Sequence, residues 1–232
     1  MMDLPEMNIA IIVAAGTGSR FNSETPKQFL EILGKPVIRH TLERFEAAPS
    51  VDSIVLVLAK EQVSRFDKMP MRKLSSVVAG GKTRAQSVLN GLNAAGEKCS
   101  LVVVHDGARP LVSVDEIERT IARAKETGAA CLVAPVTDTI KSVSGGEIVD
   151  TLDRDNLRRA LTPQAFTIEI LKKAFEGVDL NESITDECFL VEKIGLSVAI
   201  VEGSSRNIKI THPEDLILAE ALLRADRLKA ES

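Results

Sequence analysis

The amino-acid sequence predicts an α/β protein built on a doubly wound, mostly parallel sheet, with a β-hairpin that projects from it. Two observations lead to this prediction. Continuous apolar runs recur along the chain and alternate with segments of helical spacing, which is typical of strands covered by helices on both faces. One later segment breaks that alternation with a glycine-containing turn between two polar-rich strands.

Strand and helix patterns alternate through the first half of the chain. The apolar runs predict strands at residues 8–14, 53–59, 75–79, 101–104 and 129–134. Apolar spacing, Pro36 and Gly128 predict helices at residues 37–47, 83–95 and 114–125. Beyond the hairpin we expect a helix near residues 168–175, strands at 197–201 and 207–210, and a last helix from 213 to about 228.

The segment 138–157 reads as a hairpin arm. Residues 139–143 and 147–151 flank the turn Ser144-Gly145-Gly146 and contain few side chains suited to a core. An exposed hairpin is prone to edge-to-edge pairing, and the simplest partner is the same hairpin of a second subunit. A hairpin that lies flat on its own domain is the alternative.

Composition excludes several classes of partner. The chain has 232 residues, a net charge of −4, no Trp or Tyr, and seven Phe. Nucleic-acid binders usually present a basic face or aromatic stacking platforms. No apolar run approaches the roughly 20 residues of a membrane span. We therefore expect one domain over residues 7–228 and neither nucleic-acid nor membrane partners.

The cysteines and the N-terminal residues suggest a cytoplasmic protein. Cys99, Cys131 and Cys188 are odd in number, far apart and not part of a CxxC motif. Reduced thiols are favoured over disulfides or a zinc site. Residues 1–8 contain acids and a proline instead of the charged-then-apolar pattern of a signal peptide.

A glycine loop follows the first strand. Residues 14–20 read Ala-Ala-Gly-Thr-Gly-Ser-Arg, and Lys27 follows. Phe21 occupies the third glycine position of a dinucleotide motif, and Gly34-Lys35-Pro36, which follows the loop, does not supply the Gly-Lys-Ser/Thr of a P-loop. A glycine loop with two cations, Arg20 and Lys27, suits a triphosphate and developing negative charge. An ordinary tight turn after the strand is the alternative.

Two further segments suit a phosphate or metal site. Residues 80–87 place a Gly-Gly loop before a helix, a position that favours anions, although a helix entry with an exposed arginine is equally compatible. Asp106 follows a buried strand and could hold Mg²⁺, or it could cap a turn. Lys209 is unremarkable by itself.

These motifs resemble those of the sugar-phosphate nucleotidyltransferases, and among them of the 2-C-methyl-D-erythritol 4-phosphate cytidylyltransferase family. The resemblance covers residues 8–222 and implies a Rossmann-like, GT-A-like fold. The matching segments are residues 13–20, 26–29, 80–92, 104–110, 134–141, 153–154, 161–166, 185–187 and 207–211.

The resemblance implies a role for individual positions. The implied catalytic residues are Arg20, Lys27 and Lys209. The implied nucleotide-binding residues are Ala14, Ala15, Gly16, Gly18, Gly80, Gly81, Arg84, Ser87 and Asp106. The implied residues for the sugar-alcohol phosphate are Asp106, Arg109, Thr139, Arg154, Thr162, Thr185 and Lys209, with Asp106 also beside Mg²⁺.

The resemblance also implies how the parts act together. CTP reacts with a sugar-alcohol phosphate, and the arm is exchanged across a homodimer so that Thr139 and Arg154 serve the partner's site. Two positions depart from the family pattern: Gly107 stands where alanine is frequent, and Lys82 stands where an acid is frequent. Ribitol 5-phosphate as the acceptor remains open. A non-catalytic nucleotide-binding module and a dinucleotide-dependent oxidoreductase are weaker alternatives.

Overall fold

A seven-stranded sheet forms the centre of the computed structural model, which describes residues 6–16, 21, 25–66, 70–180 and 184–230. The strands within these residues are β1 (Met7–Ala14), β2 (Glu31–Ile32), β3 (Lys35–Pro36), β4 (Ser53–Leu58), β5 (Leu74–Ala79), β6 (Cys99–Asp106), β7 (Ala129–Pro135), β8 (Lys141–Ser144), β9 (Glu147–Thr151), β10 (Arg158–Thr167) and β11 (Ala199–Glu202). The helices are α1 (Val37–Ala47), α2 (Val63–Phe66), α3 (Arg84–Ala94), α4 (Val114–Thr127), α5 (Ile168–Phe175), α6 (Glu187–Lys193) and α7 (Pro213–Ala230).

The sheet is mostly parallel, as predicted. Its order is β11-β7-β10-β6-β1-β4-β5. Only β10 runs antiparallel to its two neighbours, β6 and β7. Strands β1, β4 and β6 are nearly continuously buried, because one cluster of apolar side chains covers each face of the sheet. The fold class predicted from the continuous apolar runs is therefore confirmed.

Helix ends follow local sequence signals. Ser113 and Glu116 form a reciprocal capping box at the start of α4, and Gly128 ends that helix with a positive φ of 84°. Thr83 caps α3 by accepting a hydrogen bond from Gln86 N. These signals explain why the helices predicted over residues 83–95 and 114–125 lie where the sequence placed them.

Two strand predictions differ from the structure. Residues 207–210 were expected to form a strand but do not: Ile210 N donates a hydrogen bond to the Ala108 carbonyl, and no ladder follows. Conversely, β10 is a strand that the apolar pattern did not predict. Its charged start at Arg158 and the proline at position 163 are unusual for a central strand, and the pairing with β7 is interrupted between Ala160 and Gln164.

The hairpin of β8 and β9 forms a separate two-stranded sheet. Its strands pair antiparallel, from Lys141 opposite Thr151 to Ser144 opposite Glu147. Every residue of β9 is exposed, including Ile148 and Val149. The predicted hairpin is present and its turn is where the glycines indicated. The division into a domain over residues 7–228 and an arm over 138–157 remains a prediction.

No helix within the described ranges is long and apolar enough to cross a bilayer. Cys99, Cys131 and Cys188 are buried, and none of them forms a disulfide bond within the described residues.

Candidate active site

One buried glutamine organises the loop that follows β1. Gln28 lies in a short 3-10 helix, Lys27–Phe29. Its side-chain nitrogen donates hydrogen bonds to the carbonyl oxygens of Ala14 (2.7 Å) and Gly16 (3.2 Å). The same short helix therefore fixes the glycine loop and carries Lys27, which lines a cavity together with that loop. The predicted residues Gly18 and Arg20 lie outside the described residues.

A second glycine loop, after β5, approaches the first so closely that position 80 has no space for a side chain. A Cβ on Gly80 would overlap the side chain of Ala15 and lie 2.8 Å from Ser87 Oγ. Ser87 Oγ accepts a hydrogen bond from Gly81 N (3.1 Å) and donates one to the Thr83 carbonyl (2.9 Å). Ser87 thus joins this loop to the first turn of α3, and the two loops form adjoining walls.

A third glycine fits against the first loop. A Cβ on Gly107 would lie 2.8 Å from Ala14 Cβ and 2.6 Å from Ile38 Cδ1. Both distances are too short for side-chain carbons, so an alanine at position 107 would require the surrounding atoms to shift. The departure at position 107 is therefore matched to the packing around Ala14.

Three cations converge on one carboxylate at the carboxyl end of β6. Asp106 Oδ2 lies 2.9 Å from Lys209 Nζ and 3.4 Å from Arg109 Nε, and its Oδ1 lies 3.2 Å from Arg84 Nε. Burial by itself would raise the pKa of Asp106. The positive charges of Arg84, Lys209 and Arg109 outweigh it and hold that pKa well below the ordinary aspartate value. Asp106 is therefore ionised at any physiological pH.

A second buried carboxylate lies on the far side of Arg84. Glu187, the first residue of α6, has no exposed surface, and its Oε1 accepts a hydrogen bond from Arg84 Nη1 at 2.6 Å. Burial would lower the pKa of Arg84, but the carboxylates of Glu187 and Asp106 raise it above the ordinary arginine value. Burial raises the pKa of Glu187, and the charge of Arg84 opposes that shift. With both carboxylates ionised, the cluster holds three positive and two negative groups, a net +1. This charge favours anionic ligands.

His105 supports the cluster from within the core. Thr162 Oγ1 accepts a hydrogen bond from Asp106 N (3.1 Å) and lies 3.0 Å from His105 Nδ1. Because the Arg109 carbonyl can only accept, the neutral ring carries its proton on Nε2, and Thr162 donates its hydrogen to Nδ1. His105 Nε2 then donates to the Arg109 carbonyl (3.3 Å). Complete burial lowers the pKa of His105 to about 3, so the ring is neutral near pH 7. The histidine has a structural role and lines neither cavity described below.

Two adjoining cavities open at this edge of the sheet. The larger, of about 450 Å³, lies between the two glycine loops, and the smaller, of about 210 Å³, lies beside β10 and the start of α6. Arg84, Asp106 and Lys209 line both cavities. These three side chains therefore form the junction where groups bound in the two cavities would meet.

Most of the described site residues predicted from sequence come together here. The larger cavity is lined by Ala14, Ala15, Gly16, Lys27, Gly81 and Ser87, in addition to the junction residues. The smaller cavity is lined by Arg109, Thr162 and Thr185. Gly80 precedes Gly81 and contacts both loops, as described above.

Two predicted residues lie elsewhere. Thr139 and Arg154 belong to the hairpin arm, are exposed, and line neither cavity of their own chain. Arg154 Nη1 donates a hydrogen bond to the Thr137 carbonyl at 2.7 Å. The arm therefore does not carry these side chains into the site of the same protomer.

Several residues of the site escaped the sequence reasoning. Gln28 and Glu187 lay inside segments that the motifs included, but nothing local indicated their partners, which are 12 and 103 residues away. Gln164 Nε2 donates to Asp186 Oδ2 (2.9 Å), and Asn207 donates from Nδ2 to the Thr162 carbonyl (2.9 Å). The only available signal was that polar residues of this kind lie in apolar surroundings, where each needs a partner.

The described residues include no group of three or more His, Cys, Asp or Glu side chains that could hold a metal ion. Asp106 offers one ionised carboxylate at the junction of the cavities. A single carboxylate suits Mg²⁺ when substrate phosphates and water supply the other ligands.

Comparisons with known proteins agree on one family. The family model described as IspD, 2-C-methyl-D-erythritol 4-phosphate cytidylyltransferase, matches residues 8–225. A protein of that name from Bacillus licheniformis is 42% identical over 227 residues, covering 95% of this chain and 98% of the relative. Another, from Clostridium botulinum, is 45% identical over 223 residues, covering 93% and 97%.

Solved structures agree with the sequence relatives. The crystal structure of 4-diphosphocytidyl-2C-methyl-D-erythritol synthase from Anaerococcus prevotii has a TM-score of 0.83 at 30% identity and covers 94% of this chain and 96% of its own. The 2-C-methyl-D-erythritol 4-phosphate cytidylyltransferase from Thermus thermophilus has a TM-score of 0.74 at 35% identity, covering 94% and 99%.

Proposed function

The chain belongs to the 2-C-methyl-D-erythritol 4-phosphate cytidylyltransferase family, and from this we propose that its two adjoining cavities hold the two substrates of that enzyme. The protein is a CTP-dependent cytidylyltransferase of isoprenoid biosynthesis. It transfers CMP from CTP to 2-C-methyl-D-erythritol 4-phosphate, giving 4-diphosphocytidyl-2-C-methyl-D-erythritol and pyrophosphate. One observation supports the assignment of sites: Arg84, Asp106 and Lys209 line both cavities.

The larger cavity is proposed as the CTP site. Cytosine and ribose would contact the backbone of Ala14 and Ala15, the Gly80-Gly81 loop, Arg84 and Ser87. The lining of the cavity supports this, because Ala15, Gly81 and Ser87 of the two adjoining loops all face it. Gly16 and Gly18 would leave space for the triphosphate, and the cations Arg20 and Lys27 would bind it.

The smaller cavity is proposed as the site of the sugar-alcohol phosphate. Arg109, Thr162, Thr185 and Lys209 line it, and they offer hydroxyl groups for a polyol and positive charge for a phosphate. Asp106 accepts hydrogen bonds and would contact the substrate hydroxyls. Lys209 lies at the junction, so it would bridge the substrate phosphate and the α-phosphate of CTP.

The chemistry needs no covalent intermediate on the enzyme. A phosphate oxygen of the acceptor attacks the α-phosphorus in line. The new P–O bond forms as the bond from the α-phosphorus to the bridging oxygen breaks, and pyrophosphate leaves with that electron pair. Lys27, Arg20 and Lys209 would stabilise the negative charge that grows on the α-phosphoryl oxygens, and the cavities would hold the reacting atoms in line.

We propose Mg²⁺ as the metal, with Asp106 as its protein ligand. The family generally uses a divalent ion, and the lone ionised carboxylate between the cavities fits one that is also held by nucleotide phosphates. When bound, such an ion offsets the charge of the triphosphate and of the departing pyrophosphate. Asp106 would then exchange part of its contact with Lys209 for the ion, which would leave that lysine available to a phosphate.

The hairpin arm, residues 138–157, is proposed to join two protomers of a homodimer. Val143, Ile148 and Val149 are 60–68% exposed in the single chain, which supports a second surface that covers them. In such a dimer, Thr139 and Arg154 would complete the partner's sugar-phosphate site. We also propose one domain over residues 7–228 and a cytoplasmic location, which the three free thiols support.

A pyrophosphate-release assay tests the substrate assignment. With CTP and Mg²⁺, we expect turnover with 2-C-methyl-D-erythritol 4-phosphate and at least 100-fold lower kcat/KM with ribitol 5-phosphate, since a site built for one polyol leaves polar groups unpaired with another. Comparable or higher kcat/KM with ribitol 5-phosphate would overturn the choice of acceptor. No turnover with either would overturn the proposed sites.

The same assay tests the role of Lys27. We expect Lys27→Ala to lower kcat by about 10²–10³-fold with a much smaller change in the KM for CTP, because its contact strengthens as charge develops. Lys125→Ala, on the outer part of α4, is the matched control and should leave both constants unchanged. A Lys27 variant with near-normal kcat would show that this lysine does not act on the transition state.

A further inference from the structure

We propose that Glu187 is a positioning residue of this reaction: it holds the Arg84 guanidinium at the junction of the cavities and thereby sets how Asp106 faces both substrates. The inference rests on the proposed function of the two cavities. Glu187 lines neither cavity itself. It acts through Arg84, which lines both.

The geometry is a bridge of one guanidinium between two carboxylates. Arg84 Nη1 donates to Glu187 Oε1 at 2.6 Å, and Arg84 Nε donates to Asp106 Oδ1 at 3.2 Å. A guanidinium is planar and rigid, so fixing one edge fixes the direction of the other. Glu187 is completely buried at the start of α6, so its own carboxylate has little freedom to move.

The energetic cost of this carboxylate argues for a role beyond stability. Removing a carboxylate from water costs several kcal/mol, and buried ion pairs are often no more stabilising than well-packed apolar residues. Glu187 Oε2 is buried and accepts no hydrogen bond from the described part of the chain. The pair is therefore poorly optimised for stability, whereas its orientation toward Asp106 is well defined.

The charge of Glu187 also limits how strongly Arg84 holds Asp106. Three cations already surround that single carboxylate at 2.9–3.4 Å. Glu187 draws Arg84 toward itself by the shorter contact, which leaves Asp106 more available to a substrate hydroxyl or a metal. With a neutral residue at 187, Arg84 would pair more closely with Asp106 or with a phosphate, and the junction would lose its arrangement.

The residues immediately before Glu187 line the proposed sugar-phosphate cavity. Thr185 and Asp186 line it directly. Asp186 caps α6 by accepting from Phe189 N (3.0 Å) and also accepts from Gln164 Nε2 (2.9 Å). The two residues before Glu187 therefore form part of the cavity wall, and Glu187 lies between that wall and Arg84.

The test is a double-mutant cycle on kcat and on the two KM values, with Arg84→Gln and Glu187→Gln. We expect Glu187→Gln to lower kcat by about 10–100-fold, the range found for residues that orient a functional group from behind. In the Arg84→Gln background the same change should cost about twofold or less, because Glu187 acts through the arginine. Independent losses, or normal kinetics in Glu187→Gln, would overturn the proposal.

Two further variants separate positioning from folding. Glu116→Gln alters another buried glutamate, which holds the capping box of α4 and the Ser204 backbone away from the cavities. It should lower the free energy of unfolding and leave kcat and both KM values unchanged. Glu187→Asp keeps the charge, so its kcat should lie between those of wild type and Glu187→Gln. A kcat for Glu187→Asp below that of Glu187→Gln would overturn the role of charge, even if Arg84→Gln did not fold.

Assays of the wild-type enzyme separate a failure of the proposed substrate sites from a failure of the positioning role of Glu187. If it does not turn over CTP with the methylerythritol phosphate, the proposed sites fail. If it does so and Glu187→Gln behaves like Glu116→Gln, only the positioning role fails.

Discussion

The charged cluster around Asp106 and the hairpin of β8 and β9 differ in whether their side chains find partners within the same chain. In the cluster, each carboxylate is paired within the chain, and Asp106 alone contacts three cations. In the hairpin, Val143, Ile148 and Val149 lie mostly in solvent and β9 is exposed along its whole length. The cluster is organised by one chain. The hairpin offers apolar surface that one chain leaves uncovered.

This difference separates two kinds of functional residue. In the proposed function, the residues of the cluster contact the substrates within their own chain, so single substitutions there should change the chemistry directly. Residues of the arm line neither of these cavities in their own protomer, and in the proposed dimer substitutions there should act through the second copy. Each prediction below tests one side of this comparison.

The largest effect is expected at the centre of the cluster. Asp106→Asn keeps the shape of the side chain and removes the charge on which Arg84, Arg109 and Lys209 converge. We expect kcat to fall by about 10³-fold, because both the cations and the proposed metal lose their common partner. Steady-state pyrophosphate release measures this.

Asp115→Asn, an exposed acid on α4, is the control for Asp106→Asn and should retain normal kcat. A loss of less than tenfold in Asp106→Asn would mean that the junction works without its carboxylate, and the first half of the comparison would be wrong.

Local patterns explain how much of this fold was predictable. Continuous apolar runs in β1, β4 and β6 and the capping box of α4 are signals carried by neighbouring residues, so strands and helix ends were found. Strand β10 was missed because its pairing with β6 and β7 is decided by distant partners that override Arg158 and Pro163. Residues 207–210 have a strand-like pattern but no strand beside them to pair with.

The site divides in the same way. Asp106 and the glycine loops were predictable because ligands of α/β sheets bind at the carboxyl ends of strands, and these residues lie there in sequence. Glu187 could not be assigned a role, since its partner Arg84 is 103 residues away and only the packing of α6 against the sheet joins them. Contacts between residues this far apart in the sequence are revealed only by the three-dimensional structure.

The second prediction concerns a charged residue of the arm. Arg154 is exposed and lines neither of these cavities of its own chain, yet the family resemblance assigns it to the sugar phosphate. We expect Arg154→Ala to raise the KM for the sugar phosphate by about 30-fold, or about 2 kcal/mol, with little change in the KM for CTP. Arg123→Ala, an exposed arginine on α4, is the control.

Mixed dimers locate the site that Arg154 serves. If the arm reaches the partner, then mixing Asp106→Asn with Arg154→Ala protein yields heterodimers with one intact site. The mixture should recover about a quarter of the wild-type activity at low sugar-phosphate concentration. No recovery after subunit exchange would show that Arg154 acts within its own protomer, which would end the contrast between the two regions.

The third prediction concerns how the buried His105 makes the stability of the protein depend on pH. The native state holds His105 neutral, with a pKa of about 3 against an ordinary value of 6.5. Since the unfolded chain binds a proton below about pH 6.5 and the native state does not, this contribution to stability is complete above that pH and declines as the pH falls toward 3. Between pH 8 and 5 the loss amounts to about 2 kcal/mol.

Urea unfolding at these two pH values checks the role of His105. His105→Gln should lower stability at pH 8 but lose about 2 kcal/mol less than wild type on acidification. His212→Gln, at an exposed position before α7, should retain the wild-type dependence. Equal losses in all three proteins would show that His105 does not control this pH range.

The smallest effect on the folded protomer is expected at the arm. Val149 is 60% exposed, so Val149→Asp should change the free energy of unfolding of an isolated protomer by about 0.5 kcal/mol or less. If the arm joins two copies, the melting temperature of the wild type should rise with protein concentration, and that rise should disappear in the variant. Sedimentation should show a dimer for wild type and a monomer for Val149→Asp.

Ile217→Asp is the matched control for Val149→Asp, because Ile217 is 72% exposed on α7, away from the hairpin. It should leave both the sedimentation behaviour and the concentration dependence unchanged. A Val149→Asp protein that remains dimeric with a normal KM for the sugar phosphate would mean that the apolar surface of the arm has another use. A large loss of stability in the isolated protomer would instead mean that Val149 is covered by its own chain, and the arm would then resemble the cluster in being satisfied within one protomer.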